Sequence, residues 1–175
     1  MNYKKFLGAA SVALMIVITV SLLFAPGAWA QNRFKTLHKF TGLKDGGLSA
    51  ASLILDRAGN LYGTTAWGGG NGNVFKLTPK PDGTWKEKVL HSFCTFTDCS
   101  DGYALFGGLI FDQAGSLSGT AGGGGAYDQG VVFKLTPNLD ESWTESVLYS
   151  FCTAVDCHDG LGPDAGLISD PAGNL

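Results

Sequence analysis

The chain has 175 residues, a formal net charge of −3, 15% charged residues and 26 glycines. That length bounds it to one ordinary domain or part of a larger one. The weak acidic balance excludes a phosphate-backbone binder, and the apolar content excludes a highly charged disordered chain; short strands on Gly-rich turns fit better.

The first thirty residues read as an export signal. Lys4 and Lys5 begin a positive segment, residues 7–24 are uncharged and apolar, and Pro26 and Gly27 precede Ala28-Trp29-Ala30. A positive start, an apolar run, a helix breaker and a small-x-small site predict cleavage after Ala30. The competing reading is an uncleaved anchor, since the apolar run is near the length that spans a bilayer. Cleavage removes two lysines and no acids, taking the charge from −3 to −5. The mature chain, residues 31–175, is then expected outside the cytoplasm, with attraction neither for nucleic acid nor for anionic lipid.

Beyond the leader the chain repeats itself. Residues 34–40 resemble the last strand of a unit. Leu53-Ile54-Leu55-Asp56-Arg57-Ala58-Gly59-Asn60-Leu61 recurs at residues 109–117 and again at residues 167–175. Asp56 and Asp112 are 56 positions apart, and Asp112 and Asp170 are 58 apart. Phe75-Lys76-Leu77-Thr78-Pro79 recurs as Phe133-Lys134-Leu135-Thr136-Pro137, Trp85 as Trp143, and Val89-Leu90-His91-Ser92-Phe93 as Val147-Leu148-Tyr149-Ser150-Phe151. Asp-Gly marks each unit at Asp45, Asp101 and Asp159. Residues 45–93 and 101–151 form two full units, and residues 159–175 begin a third that stops one residue into its second strand.

Each unit divides into four strands. The first is the Leu-Ile-x-Asp run. A hairpin turn follows, in which Asp56, Gly59 and Asn60, Asp112 and Gly115, or Asp170, Gly173 and Asn174 hold the bend: Asp bonds nearby amides and Gly accepts positive φ. The second strand is Leu61-Tyr62-Gly63-Thr64-Thr65. A Gly-rich loop leads to the third, residues 74–77, which Pro79 ends. Asp82-Gly83 turns the chain into the fourth, residues 85–93, with Trp85, Val89 and Phe93 on one face and Lys86 and Lys88 on the other. The expected class is all-β, with tandem four-stranded antiparallel repeats arranged like β-propeller blades. A β-solenoid is the alternative. About two and a half blades are present, fewer than the roughly four a closed ring needs.

Cys94 and Cys99 form one Cys-x-x-x-x-Cys pair after strand four, and Cys152 and Cys157 form the other. Phe40 precedes Asp45 by 5 positions, whereas Phe93 precedes Asp101 and Phe151 precedes Asp159 by 8. The pair thus arrives with a three-residue loop extension. In an exported chain a local disulfide staple explains both facts. A Cys₄ zinc site lacks the usual knuckle spacing, and bridges between repeats remain open.

Signals of chemistry are sparse. A catalytic carboxyl pair needs two different environments, whereas Asp56, Asp112 and Asp170 are copied with the repeat and read as turn residues. His38 and His91 share a slot that holds Tyr149 in the next copy, so they read as packing residues; His158 has no equivalent. The Gly runs lack the Lys-Ser/Thr and following helix of a phosphate cradle. No catalytic residue, cofactor or metal site is expected. Trp67, Tyr103, Phe106 and Tyr127 are candidates for stacking on an apolar ligand face, such as a sugar, against the plainer reading that they pack.

Together these motifs resemble the GloVer tandem repeat of exported bacterial proteins often termed choice-of-anchor proteins. The residues carrying the resemblance are Asp45-Gly46 through Leu61-Tyr62-Gly63-Thr64-Thr65 and Val74-Phe75-Lys76-Leu77-Thr78-Pro79, with their second copies. The second unit departs at Ser116-Leu117-Ser118-Gly119-Thr120, which lacks the family's Asn and Tyr. The resemblance implies a truncated member, an extracytoplasmic location, a propeller-like repeat and no established catalysis. The expected role is a non-catalytic scaffold or binding surface at the cell envelope, with a cell-surface glycan or protein as the partner class. A fragment of a propeller-type lyase or glycan hydrolase, or an assembly subunit completing its sheets with another chain, are the alternatives.

Overall fold

The computed structural model describes residues 34–95 and 97–175. The expected leader lies outside them. Eight strands occur among the described residues: β1 (Ile54–Leu55), β2 (Leu61–Thr65), β3 (Asn73–Pro79), β4 (Trp85–Ser92), β5 (Ile110–Phe111), β6 (Leu117–Ala121), β7 (Val131–Pro137) and β8 (Trp143–Ser150). They form two four-stranded sheets in chain order, β1-β2-β3-β4 and β5-β6-β7-β8. Every ladder is antiparallel, which removes the parallel β-solenoid alternative. No α-helix occurs among the described residues; a short 3-10 turn covers Val155–Cys157.

The two sheets share one register. Gly63 faces Phe75 in the first and Gly119 faces Phe133 in the second. A side chain at either glycine would collide with the phenylalanine: a Cβ would lie 2.8 Å from Phe75 Cζ and 2.7 Å from Phe133 Cζ. Each ring therefore lies across the opposing backbone, a close approach that only glycine permits. A bulge falls at the same place in both sheets, between Val74 and Phe75 and between Val132 and Phe133. It gives β4 and β8 one extra residue, Leu90 or Leu148, and resets the alternation expected from the sequence. Before the bulge Trp85, Glu87 and Val89 share a face with Phe75 and Leu77.

Neither sheet buries its faces alone. Tyr62, on the opposite face of the first sheet, packs edge-on against Phe111 at 5.1 Å and lies 6.5 Å from Trp143. Phe93, just after β4, packs on Phe133 at 4.7 Å. Thr64 Oγ1 donates to the Gly107 carbonyl across the same junction at 3.0 Å. One core results, containing Tyr62, Val74, Phe93, Leu105, Leu117, Val131, Phe133 and Leu135. Stacked repeats need this: a unit that cannot cover its own apolar face must cover it with its neighbour.

The flanking segments make the same contacts without strands. Residues 34–40, expected as a fourth strand, carry no ladder, because no described strand lies beside them to pair. Phe40 nevertheless packs on Phe75 at 4.9 Å, as Phe93 does on Phe133. The expected third unit forms no strand, and none of residues 159–175 is buried. It keeps the hairpin-closing bond, Asp170 N to the Asn174 carbonyl at 3.0 Å. It also keeps the junction bond, Thr120 Oγ1 donating to the Ala165 carbonyl at 2.8 Å.

The β3–β4 and β7–β8 turns share Asp82 and Asp140 but differ at the left-handed position that follows. Gly83 has φ of 79°, and Glu141 holds the same left-handed conformation at 65°. The Glu141 carbonyl accepts Lys88 Nζ at 3.0 Å, a bond that glycine would keep. The exposed Lys88–Glu141 ion pair at 3.7 Å is of the kind worth little. The substitution E141G is expected to stabilise the protein by about 1 kcal/mol by relieving the left-handed residue. Urea denaturation measures this; a loss of stability would show that the ion pair outweighs the backbone.

Candidate interaction surface

The register sets two ends of the sheets apart. The Asp turns and the β3–β4 and β7–β8 turns lie at one end. The loops after β2 and β6 and the cysteine loops after β4 and β8 lie at the other.

At the turn end the aspartates act locally. Asp56 Oδ1 accepts the Ala58 and Asn60 amides, both at 2.9 Å. Its Oδ2 accepts Asn60 Nδ2 at 2.7 Å and the Tyr62 hydroxyl at 3.0 Å. Burial works against the Asp56 charge, but the bonds from Asn60, Tyr62 and Ala58 outweigh it and hold the carboxyl below its usual range. Asp112 Oδ1 accepts the Ala114 and Ser116 amides at 2.9 and 2.8 Å. With Asn and Tyr replaced by Ser116 and Ser118, its Oδ2 pairs instead with Lys134 at 2.7 Å, and that bond leads in lowering its pKa. The equivalent lysine of the first unit, Lys76, lies 5.6 Å over the Tyr62 ring. Asp170 repeats the Asp56 pattern with Asn174, at 2.8 and 2.7 Å. Gly59, Gly115 and Gly173 have φ of 84°, 84° and 86°, with open space around each, so their demand is conformational. Successive turns line two open clefts: one of about 630 Å³ between the Asp56 and Asp112 turns, and one of about 570 Å³ between the Asp112 and Asp170 turns.

At the loop end a second set of aspartates closes each connection. Asp45 accepts the Thr41 amide at 2.9 Å and the Thr41 hydroxyl, and lies 3.6 Å from His38 Nε2. Asp101 accepts the Cys94 amide at 3.0 Å and meets His91 Nε2 at 3.1 Å. Asp159 accepts the Tyr149 hydroxyl at 2.6 Å and the Thr153 and Ala154 amides at 2.9 and 3.2 Å. The Tyr149 bond is the main cause that holds the Asp159 carboxyl far below its usual range. The slot holding His38, His91 and Tyr149 is therefore the partner of the Asp-Gly aspartate, which sequence reasoning took for packing alone. Its signal was available: each residue that fills the slot can donate a hydrogen bond, and each precedes an Asp-Gly by 7 or 10 positions.

The cysteines pair within each loop, Cys94 with Cys99 and Cys152 with Cys157, with Cα atoms 4.2 and 4.0 Å apart. All four have positive φ, from 43° to 68°. Closing so short a loop contributes about 2 kcal/mol in the chain-entropy model, and it holds two residues per loop in a conformation that non-glycine residues avoid. The Cys99 carbonyl accepts the Gly102 and Gly125 amides at 3.0 and 3.1 Å, so the first staple also touches the next unit. Two such disulfides fit an oxidising, extracytoplasmic compartment.

The four candidate stacking residues separate. Tyr103 lies over Gly123 and bonds Asp128, the main cause that raises its phenol pKa. Its backbone bridges Gly123, where the first unit bridges Gly47 and Trp67. The aromatic residue has changed sides of the bridge between copies, and Tyr103 is a packing residue. Phe106 is half-buried. Trp67 and Tyr127 are 53% and 54% exposed, both at the loop end. Among the described residues no group of three or more His, Cys, Asp or Glu is placed to hold a metal ion, and no helix is long and apolar enough to cross a membrane.

The pattern of the Gloeobacter/Verrucomicrobia repeat matches residues 26–175. The chain belongs to that family. No curated protein matches it. For this Gloeobacter/Verrucomicrobia repeat chain, the Asp56 network makes a direct prediction. Burial first, and then the Asp56 carboxylate, push the Tyr62 phenol above its ordinary value of 10.0. In a site-resolved NMR titration Tyr62 is expected to keep its proton above pH 10, and in D56N to titrate closer to 10. An unchanged midpoint in D56N would show that the carboxylate does not act on the phenol.

Proposed function

We propose that this Gloeobacter/Verrucomicrobia repeat chain works outside the cytoplasm as a non-catalytic scaffold. In this reading its sheets stack as propeller-like blades, and its loop end, carrying Trp67 and Tyr127, binds a glycan or a protein. The observation that carries the reading is the use of the repeat-borne carboxylates. Asp45, Asp56, Asp101, Asp112, Asp159 and Asp170 each bond residues of their own turn or connection. General acid–base work needs a proton donor or acceptor aimed at a substrate, and these six are aimed at backbone amides. The disulfides and the positive, apolar leader support export. Loops on a rigid scaffold are where binding residues concentrate, and exposed aromatic faces suit sugar rings.

Affinity electrophoresis through gels cast with cell-envelope polysaccharides tests the role. Retardation by at least one polysaccharide is expected, reduced about tenfold by W67A or Y127A, as for loss of an aromatic hot spot. The melting temperature of both variants should stay unchanged. Release of reducing ends or unsaturated sugars from any of these polymers would overturn the non-catalytic reading.

A further inference from the structure

Glu87 and Glu145 occupy the same place in the two repeats, on strand four opposite Leu77 and Leu135. Both side chains point to the face that the preceding connection covers. In each, Oε1 is sealed from solvent and has no hydrogen-bond partner in the structure. A carboxylate left so is costly to bury; a neutral carboxyl costs far less. Asp101 acts on Glu145, and Asp101 is itself joined to His91 of β4. Asp45 acts on Glu87 as Asp101 does on Glu145, His38 acts on it in the opposite sense, and His38 lies 3.6 Å from Asp45. Each junction thus brings two carboxyls and one imidazole together between apolar residues. Neither Glu87 nor Glu145 has a role in the turns or in the proposed binding surface.

We propose that each repeat junction is an acid-closed latch: the strand-four glutamate packs as a neutral carboxyl beside the Asp-Gly aspartate, and its ionisation places two negative charges in the junction and loosens it. Burial, and then the Asp101 charge, push the Glu145 pKa from its ordinary 4.5 to about 7. Burial also raises that of Glu87, with Asp45 adding to the rise and His38 opposing it. The sign follows from linkage. Between pH 4.5 and about 7 the folded chain holds a proton on Glu145 that the unfolded chain has released, so stability falls as pH rises through that window and levels off above it. The turn aspartates act oppositely and lower down: their folded pKa values are depressed, so their contribution is lost only as pH falls below the usual carboxylate range. The latch is independent of what the loop end binds.

Thermal denaturation of the exported chain at pH 5 to 8 tests this. The wild type is expected to melt about 5 °C lower at pH 8 than at pH 5. E145Q should lose most of that slope, and E87Q/E145Q nearly all of it, both melting at pH 8 near the wild-type value at pH 5. H91Q, which keeps both glutamates, should retain the greater part. A slope that persists in E87Q/E145Q but vanishes in H91Q would assign it to the imidazole and overturn the proposal. The native chain supplies a second readout that needs no variant. A Glu145 side-chain carboxyl that titrates near 7 by carbon NMR supports the latch, and one near 4.5 overturns it.

Discussion

Each sheet buries its central phenylalanine under the residue that ends the preceding strand-four segment: Phe75 under Phe40, and Phe133 under Phe93. The rest of the structure follows from that contact. The ring must lie across a backbone without a side chain, which fixes Gly63 and Gly119 opposite it. The preceding segment must then turn sharply into the next sheet, which requires the Asp-Gly connection. Where that connection is longer, a disulfide within it limits its freedom. The apolar face a four-stranded unit cannot cover alone is covered by sharing, which makes the junction, and not the single sheet, the unit of stability.

Two families of aspartate serve this arrangement with different partners. Those of the hairpin turns bind amides two to four residues ahead, a local Asx geometry that shapes the bend whatever surrounds it. Those of the connections face a residue seven or ten positions back, His38, His91 or Tyr149, and Asp101 and Asp159 hydrogen-bond theirs on β4 and β8, so tying the end of a sheet to the segment that follows. The second unit shows how tolerant the first family is. Losing Asn and Tyr at Ser116 and Ser118 frees one carboxylate oxygen, and Lys134 takes it. In the first unit the same lysine position lies instead on the Tyr62 ring. The glutamates of strand four complete the junction. They place a titratable group where each repeat is held to the next.

Much of this was legible in the sequence because repetition supplies its own comparison. A motif copied at a step of 56 or 58 gave the four strands, the turn glycines and the aspartates that hold the turns. The pairing of cysteines within each loop was legible as the leading option from a loop that lengthened only where they appear. What escaped reading depends on contact across units. The bulge between Val74 and Phe75 has no local signature, so alternation along β4 was carried one residue too far. Tyr103 looked like a stacking residue because its seat, Gly123, is twenty positions away across an antiparallel bridge. Glu87 and Glu145 drew no reading from the sequence. Only the stacked sheets show that their face is the covered one.

The claim that the junction is the unit of stability can be tested at one residue. Phe93 belongs to the first repeat by sequence and to the core of the second by packing. Native-state hydrogen exchange on F93A, read at β2–β3 and β6–β7 separately, distinguishes the possibilities. A shared core predicts that protection falls in both sheets together and by a similar factor. Loss confined to one sheet, with the other keeping its wild-type protection, would contradict it.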